Sequence, residues 1–255
     1  MITVPVIRLP RATGGPGRAP DVRRSPDPGT MAVVTPATQP AGNPSPPPRG
    51  NGPAGGPALV VGFDLDMTLI DSRPGIKACY DALAAETGVP IDTELVVSRL
   101  GPPLVDELVN WFPAEHVAEM ADRYRAMYPA IAIAPTREMP GAREAVAAVR
   151  AAGGRAVVVT AKYGPNAALH LAHLGIEAEV VGDLWAEGKA SALRERRASV
   201  YVGDHVGDVR GARAAGALAV AVTTGPCAEA ELREAGADVI LPDLTAFTPW
   251  LATHL

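Results

Sequence analysis

The sequence has few cysteines, few lysines and no long apolar run. Only two cysteines, Cys79 and Cys227, occur in 255 residues, and their separation argues against a disulfide framework or a zinc site. No run of about 18 apolar residues is present, as a membrane helix would need, and the first residues lack the apolar segment of a secretory signal. We therefore expect a soluble, cytoplasmic protein without a membrane partner.

Positive charge is also scarce in most of the chain. The formal net charge is −5, and because residues 1–57 carry +4, the remainder carries −9. This balance argues against nucleic-acid binding by the folded part. Lysine supplies only three of the 23 basic residues, namely Lys77, Lys162 and Lys189, which makes each a candidate for a specific role.

The composition divides the chain at residue 57. Residues 1–57 contain 14 Pro and 9 Gly, a composition that predicts a disordered tail. From residue 58 onwards, short apolar runs alternate with helical patterns, which predicts a doubly wound α/β fold with a parallel sheet. The six predicted strands are Leu59–Phe63, Ala156–Thr160, Ala178–Val181, Ser199–Val202, Leu218–Val222 and Val239–Leu241.

One interval interrupts the alternation. Residues 72–140 show helical patterns only, so we predict an all-helical insertion after the first strand. The α/β core would then comprise residues 58–71 and 141–255. Open α/β sheets bind ligands at the carboxyl ends of their strands, and the insertion follows such an end. It is therefore a candidate cap over an active site.

Acidic side chains follow two of the predicted strands. Asp64 and Asp66 come directly after the first strand, and Asp204 and Asp208 follow the strand that ends at Val202. Carboxylates that converge at one sheet edge repel each other unless one is protonated or a cation is bound. Because Mg²⁺ prefers oxygen ligands, the pattern indicates a magnesium site.

Two further strand and helix ends supply groups that suit an anion. Thr160 closes its strand with a hydroxyl and lies near a helix start. Lys189, just before another helix, offers a positive charge for phosphate oxygens, and Lys162 is the rival for that role. Each residue also has an ordinary structural reading: Asp204 as a helix cap, Asp208 as a first-turn acid, and Thr160 as a strand residue.

Four motifs follow one another along the chain: Asp-x-Asp-x-Thr, Thr, Gly-Lys and Gly-Asp-x-x-x-Asp. Their order resembles that of the haloacid-dehalogenase-like (HAD) hydrolase superfamily. The predicted insertion resembles the helical cap of its phosphoglycolate-phosphatase-like branch. The resemblance covers residues 58–255. It implies a HAD-like, Rossmann-type core and a Mg²⁺-dependent phosphatase that hydrolyses a small phosphate monoester, such as a phosphoglycolate-like ester or a sugar phosphate.

The resemblance also assigns catalytic roles. Asp64 would be the nucleophile that forms an aspartyl-phosphate, and Asp66 would protonate the leaving oxygen and then activate water. Thr160 and Lys189 would bind the phosphoryl group. True haloacid dehalogenases lack the second acid, so Asp66 favours phosphate transfer over dehalogenation.

The same resemblance implies a magnesium ligand set. Asp64, the backbone carbonyl of Asp66, and Asp204 would bind the ion, and Asp208 would support it through water. The loop at Arg99 resembles the substrate-facing loop of the cap, so Arg99 is a candidate for binding the substrate. Met67 stands where many members have Gly, and we expect its side chain to require an ordinary backbone conformation.

Other functions remain open at this stage. A phosphomutase or a pyrophosphatase would use the same chemistry, and a non-catalytic phosphate-binding module would share the same residues. A phospho-accepting receiver domain shares the acidic sheet edge but has no such insertion. The expected partner is a small phosphorylated metabolite, and we expect a monomer or a homodimer.

Overall fold

The computed structural model describes residues 59–254; the predicted tail, residues 1–57, lies outside them. The strands are β1 (Val60–Phe63), β2 (Ile70–Asp71), β3 (Arg137–Glu138), β4 (Arg155–Val159), β5 (Glu179–Val181), β6 (Val200–Gly203), β7 (Leu218–Val222) and β8 (Val239–Leu241). The helices are α1 (Arg73–Thr87), α2 (Thr93–Ser98), α3 (Leu104–Leu108), α4 (Ala114–Ile131), α5 (Ala142–Ala151), α6 (Gly164–Leu174), α7 (Lys189–Glu195), α8 (Val206–Ala215), α9 (Glu229–Glu234) and α10 (Phe247–His254).

Six parallel strands form the main sheet, in the order β5-β4-β1-β6-β7-β8. Every predicted strand is present, and the predicted α/β fold class is confirmed. Successive side chains of a strand point to opposite faces, so along β1 Val60 packs into one hydrophobic cluster and Val61 and Phe63 into another. Helices cover both faces, which explains the continuous apolar runs.

The strand order places the motifs together. In β1, Phe63 is opposite Val158 of β4 and Val202 of β6. The chain leaves the three neighbouring strands at the same sheet edge, where the topology changes direction and α/β proteins form ligand-binding crevices. The residues that follow these strands therefore face one another.

Helices α1 to α4, which we call the helical insertion, lie between β2 and β3 and have a hydrophobic cluster of their own. The expectation that residues 72–140 contain no strand is wrong at β3, which pairs antiparallel with β2 through Ile70 and Glu138. Two-residue strands have no periodicity to detect. The domain boundaries at 72 and 140 stay predictions.

Two short helices show how local contacts hold these elements in place. Helix α2 is preceded by Asp92, whose carboxylate accepts the backbone N–H of Leu95 at 3.0 Å, the usual stabilisation of a helix N-terminus. Helix α10 packs Phe247 and Leu251 against the main core. Among residues 59–254, no helix combines the length and apolar character needed to cross a membrane.

Candidate active site

The chain turns sharply after β1. The backbone N–H of Asp64 still donates to Val202 of β6 at 2.8 Å, and the carbonyl of Leu65 then accepts the N–H groups of Leu69 and Ile70 at 2.9 and 3.0 Å. Within this turn Met67 has a φ of 61°, so the expectation of an ordinary backbone conformation is wrong. The turn requires left-handed backbone there, which is strained for a residue with a Cβ.

Lys189 lies buried beside Asp64. Its ammonium is 2.7 Å from Asp64 Oδ1 and 2.6 Å from Asp208 Oδ1, and it donates to the Tyr201 hydroxyl at 2.8 Å. The side chain is 0% exposed. Burial alone would lower the pKa of Lys189, but the two carboxylates raise it above its usual range, so the lysine is charged and holds Asp64 in place.

Lys162 occupies a different position from Lys189. Its Nζ lies 2.9 Å from Asp66 Oδ2 and 5.0 Å from the centre of the Tyr128 ring. The hydroxyl of Ser72 donates to the other oxygen of Asp66. Burial favours the neutral carboxyl, but Lys162 and Ser72 together hold the pKa of Asp66 below its usual range. The two lysines therefore each hold one of the two carboxylates that follow β1.

Thr160 lies at the end of β4, as the sequence predicted, and is 1% exposed. Its hydroxyl oxygen accepts the backbone N–H of Lys162 at 3.2 Å. This bond shapes the short loop before α6, so Thr160 lines the cavity between Asp66 and the start of that helix.

A buried acidic cluster comprises Asp64, Asp204 and Asp208. One carboxylate oxygen from each lies within 4.8 Å of the others. Thr68 donates to Asp204 Oδ1 at 2.8 Å, and Gly225 approaches Asp204 so closely that a Cβ there would overlap Oδ2. The side chain of Asp66 belongs to the pair with Lys162 and not to this cluster.

The charges of this cluster suit a divalent cation. When all three carboxylates are ionised, they face one ammonium group, that of Lys189, and an excess of two negative charges results. Burial, followed by the neighbouring carboxylates, raises the pKa of Asp204 well above its usual range, and burial also raises that of Asp64. Oxygen ligands with this charge fit Mg²⁺, which Asp64, Asp204 and Asp208 would hold.

Arg99 lines the cavity, but its charge is already paired. Its guanidinium makes two bonds to Glu107, of 2.9 and 2.7 Å, and the indole N–H of Trp111 also donates to Glu107 at 2.7 Å. Two further cations of the insertion are on its surface and also paired: Arg73 with Asp71, and Lys77 with Asp81 and Glu94. Binding of substrate by Arg99 stays a prediction.

Four contacts of the site were not expected from the sequence. They involve Thr68, Ser72, Lys162 and Tyr201. Two of these residues carry a signal in the sequence, although not of the contact itself. Thr68 is the threonine of the Asp-x-Asp-x-Thr motif, and Lys162 is one of only three lysines. Ser72 and Tyr201 carry no signal in the sequence, because only the folded chain places them against Asp66 and Lys189.

A cavity of about 280 Å³ opens from Asp64 and Asp66 toward the helical insertion. The insertion contributes the aromatic rings of Tyr80, Tyr124 and Tyr128, and the core contributes Thr160 and Lys162. Tyr128 hydrogen-bonds His170 of α6 at 3.0 Å. The site thus has a polar end at the strand edge and a wall in which the tyrosines lie among aliphatic side chains such as Ile76, Val96 and Leu104.

Comparison with known families agrees with this geometry. The family model described as haloacid dehalogenase-like hydrolase matches residues 61–213, and one described as HAD-hydrolase-like matches residues 184–247. The first match covers β1 to α8 and includes every candidate site residue.

The curated relatives include proteins of two kinds. Tyrosine-protein kinase PtkA of Mycobacterium tuberculosis is 34% identical over 192 aligned residues, and the match covers 69% of this chain and 66% of the relative. The chain thus spans about two thirds of that relative. Phosphoglycolate phosphatase of Chromobacterium violaceum is 30% identical over 193 aligned residues, and the match covers 65% of this chain and 85% of the relative. Phosphoglycolate phosphatase of Yersinia pestis is 28% identical over 189 aligned residues, and the match covers 65% of this chain and 81% of the relative.

Solved structures share the fold. A structure described as a predicted phosphatase from Clostridium acetobutylicum has a TM-score of 0.68 at 23% identity, covering 77% of this chain and 99% of that one. A haloacid dehalogenase-like family hydrolase from Streptococcus pneumoniae also has a TM-score of 0.68, at 24% identity, covering 76% and 98%. At such identities the likeness concerns the fold alone.

Proposed function

Because the chain belongs to the haloacid dehalogenase-like hydrolase family, we propose that it is a Mg²⁺-dependent phosphatase that hydrolyses a small phosphate monoester through an aspartyl-phosphate. The observation that carries the proposal is the position of Asp64. Its carboxylate lies at the end of a cavity and is held by a buried lysine, with a second carboxylate two residues further on. Phosphoryl transfer depends chiefly on such positioning and charge neutralisation.

In the first step, an oxygen of Asp64 attacks phosphorus and the bond from phosphorus to the ester oxygen breaks. Asp66 gives a proton to that leaving oxygen. Asp66 is ionised in its contact with Lys162, so we expect it to take up a proton and to leave this contact when substrate binds. The Thr160 hydroxyl and the Lys189 ammonium would interact with the phosphoryl oxygens.

In the second step, Asp66 accepts a proton from water. The water oxygen attacks phosphorus, the bond between phosphorus and Asp64 breaks, and inorganic phosphate leaves. Lys189 keeps its contact with Asp208 throughout, which fixes its position as the charge on Asp64 changes. Mg²⁺ held by Asp64, Asp204 and Asp208 would neutralise charge on the phosphoryl oxygens.

Phosphate release from a panel of monoesters tests the proposal. The panel contains p-nitrophenyl phosphate, 2-phosphoglycolate and sugar phosphates, each assayed with Mg²⁺ and with chelator. We expect turnover that requires Mg²⁺ and that Asp64→Asn abolishes in a folded protein. Turnover by folded Asp64→Asn would remove Asp64 as the nucleophile, and absence of turnover by the wild type would contradict the phosphatase.

A second candidate is phosphoryl transfer to a tyrosine hydroxyl, favoured by the 34% identity to relatives named tyrosine-protein kinase. Incubation with ATP and tyrosine-containing acceptors separates the candidates, because a kinase forms phosphotyrosine where a phosphatase releases inorganic phosphate. A pyrophosphatase would release phosphate from added pyrophosphate, and a mutase would isomerise a sugar phosphate without releasing phosphate. A cytoplasmic location, a metabolite partner and a monomer or homodimer stay predictions.

A further inference from the structure

We infer that Arg125, together with the hydroxyls of Tyr80 and Tyr124, determines which ester is accepted, by binding an anionic oxygen group on the leaving part of the substrate. The inference rests on the proposed function and concerns the part of the cavity that the helical insertion lines. All three residues belong to the helical insertion and line the cavity.

The two tyrosines have unused hydrogen-bonding groups. Tyr80 and Tyr124 are 3% and 5% exposed, and their rings lie 4.9 Å apart. Neither hydroxyl hydrogen-bonds another residue of the described part of the chain. Tyr128 differs, because its hydroxyl is taken by His170. Because both residues line the cavity, their hydroxyls are available to a molecule within it.

Arg125 has a weaker carboxylate partner than Arg99, the other arginine that lines the cavity. Its ion pair with Asp122 is long, at 3.7 Å, and the Asp122 side chain is 81% exposed, so solvent screens the pair. Arg125 Nε is buried and has no partner among residues 59–254. The guanidinium lies 5.2 Å from the centre of the Tyr163 ring, which belongs to the core.

Other charged groups that line the cavity already have partners. Glu107 is bound by Arg99 and Trp111. Asp183 accepts the backbone N–H of Gly164 at 3.2 Å. The free groups are therefore an arginine, which only donates, and two hydroxyls, a set that suits a carboxylate or a phosphate.

The size of the cavity limits the leaving part. About 280 Å³ lies slightly below the usual range for small-molecule pockets, roughly 300–1,000 Å³, and it must also hold the phosphoryl group. A carboxylate one or two carbons from the ester oxygen fits this restriction better than a nucleotide does. The inferred class is a small phosphate monoester whose leaving group carries a second anion.

A matched pair of esters tests this inference. In 2-phosphoglycolate the leaving group carries a carboxylate, and in 2-hydroxyethyl phosphate a hydroxymethyl group replaces it; ethylene glycol bisphosphate carries a second phosphate instead. We expect the wild type to prefer an anionic ester. Arg125→Met should lower kcat/KM for that ester by about tenfold or more, chiefly through KM, and change the neutral ester less than about threefold.

Arg123→Met is the control, because Arg123 is on the same helix but pairs on the surface with Glu86 and Glu119. It should leave the preference unchanged. Tyr80→Phe and Tyr124→Phe, which remove only the hydroxyls, should each lower kcat/KM for the anionic ester severalfold. The thermal midpoint of each variant reports whether it is folded.

Each outcome of these assays either supports or overturns the inference about Arg125. A loss confined to the carboxylate or to the bisphosphate ester supports the inference and identifies the anion. Two results overturn the inference but leave the proposed phosphatase activity intact. In one, the wild type does not prefer anionic esters; in the other, Arg125→Met lowers kcat/KM equally for all esters. If the wild type hydrolyses neither these esters nor p-nitrophenyl phosphate, the proposed function fails and the inference fails with it.

Discussion

The ammonium of Lys189 lies 2.7 Å from Asp64, a residue 125 positions earlier in the chain, with no solvent exposure of the lysine side chain. The same ammonium contacts Asp208 at 2.6 Å. A single cation therefore links the end of β1 to the start of α8, and the stability of the core depends on groups that the proposed chemistry also uses.

Replacing this lysine should destabilise the protein. In Lys189→Met the buried carboxylates of Asp64 and Asp208 lose their counter-charge, and removing one partner of a buried ion pair usually costs about 3–5 kcal/mol. We expect a decrease of that size in the free energy of unfolding, measured with urea in metal-free buffer. Added Mg²⁺ should restore part of it.

Lys77→Met is the matched control, because Lys77 makes its ion pairs on the surface of the insertion. It should change the unfolding free energy little. If Lys189→Met is as stable as this control, the carboxylates do not depend on the lysine for their charge balance.

Magnesium should stabilise the folded chain through the acidic cluster. A cation that binds only the folded state raises stability by about 2.7 kcal/mol at one hundred times its dissociation constant. The thermal midpoint should therefore rise with Mg²⁺ at constant ionic strength. In Asp204→Asn the bond from Thr68 can persist while one charge is lost, so we expect a much smaller rise.

Exposed Asp106 supplies the comparison for that experiment. Asp106→Asn should respond to Mg²⁺ as the wild type does. In metal-free buffer Asp204→Asn should be at least as stable as the wild type, because a buried carboxyl with a raised pKa is replaced by a neutral group. An equal response to Mg²⁺ in all three proteins would place the binding elsewhere.

The sequence predicts much of the sheet and of the site, and fails where a contact depends on loops. Continuous apolar runs indicate the six strands of the sheet. Asp64, Thr160 and Asp204 each follow one of these strands in the sequence, so their position at the sheet edge could be predicted. The bond from Lys162 to Asp66 depends on the path of a short loop. Strand β3 is too short for a pattern, and the pairing of Arg99 with Glu107 joins the residue after α2 to a residue within α3 across an irregular segment.

The backbone at Met67 illustrates the same limit and gives a third prediction. Its φ of 61° is strained by about 1 kcal/mol or more in a residue with a Cβ, yet the side chain is 3% exposed, and its burial contributes about 1.5–3 kcal/mol. Burial therefore outweighs strain, and both Met67→Gly and Met67→Ala should be less stable than the wild type.

The order of these two variants is the informative result. Glycine removes the strain and alanine keeps it, so Met67→Gly should be more stable than Met67→Ala by about 1 kcal/mol, the reverse of the usual preference for alanine. Urea unfolding of the three proteins measures the order. Greater stability of the alanine variant would show that the turn relaxes to an unstrained backbone.

His170 leads to a prediction about pH. The side chain is fully buried, and burial, with the nearby Lys162 charge, lowers its pKa to about 4 from the ordinary 6.5. Below pH 6.5 the unfolded chain binds a proton that the folded chain does not. The stabilisation is therefore complete above pH 6.5 and is lost as pH falls toward 4, by up to about 3 kcal/mol.

Replacement of His170 by glutamine isolates this contribution. Glutamine does not titrate and can still hydrogen-bond Tyr128, so in His170→Gln the free energy of unfolding should fall less between pH 6.5 and 4 than in the wild type. Exposed His173, three residues further along α6, is the control, and His173→Gln should keep the wild-type slope. Equal slopes in all three proteins would mean that His170 takes up its proton without unfolding, because the core around Tyr128 admits the charge.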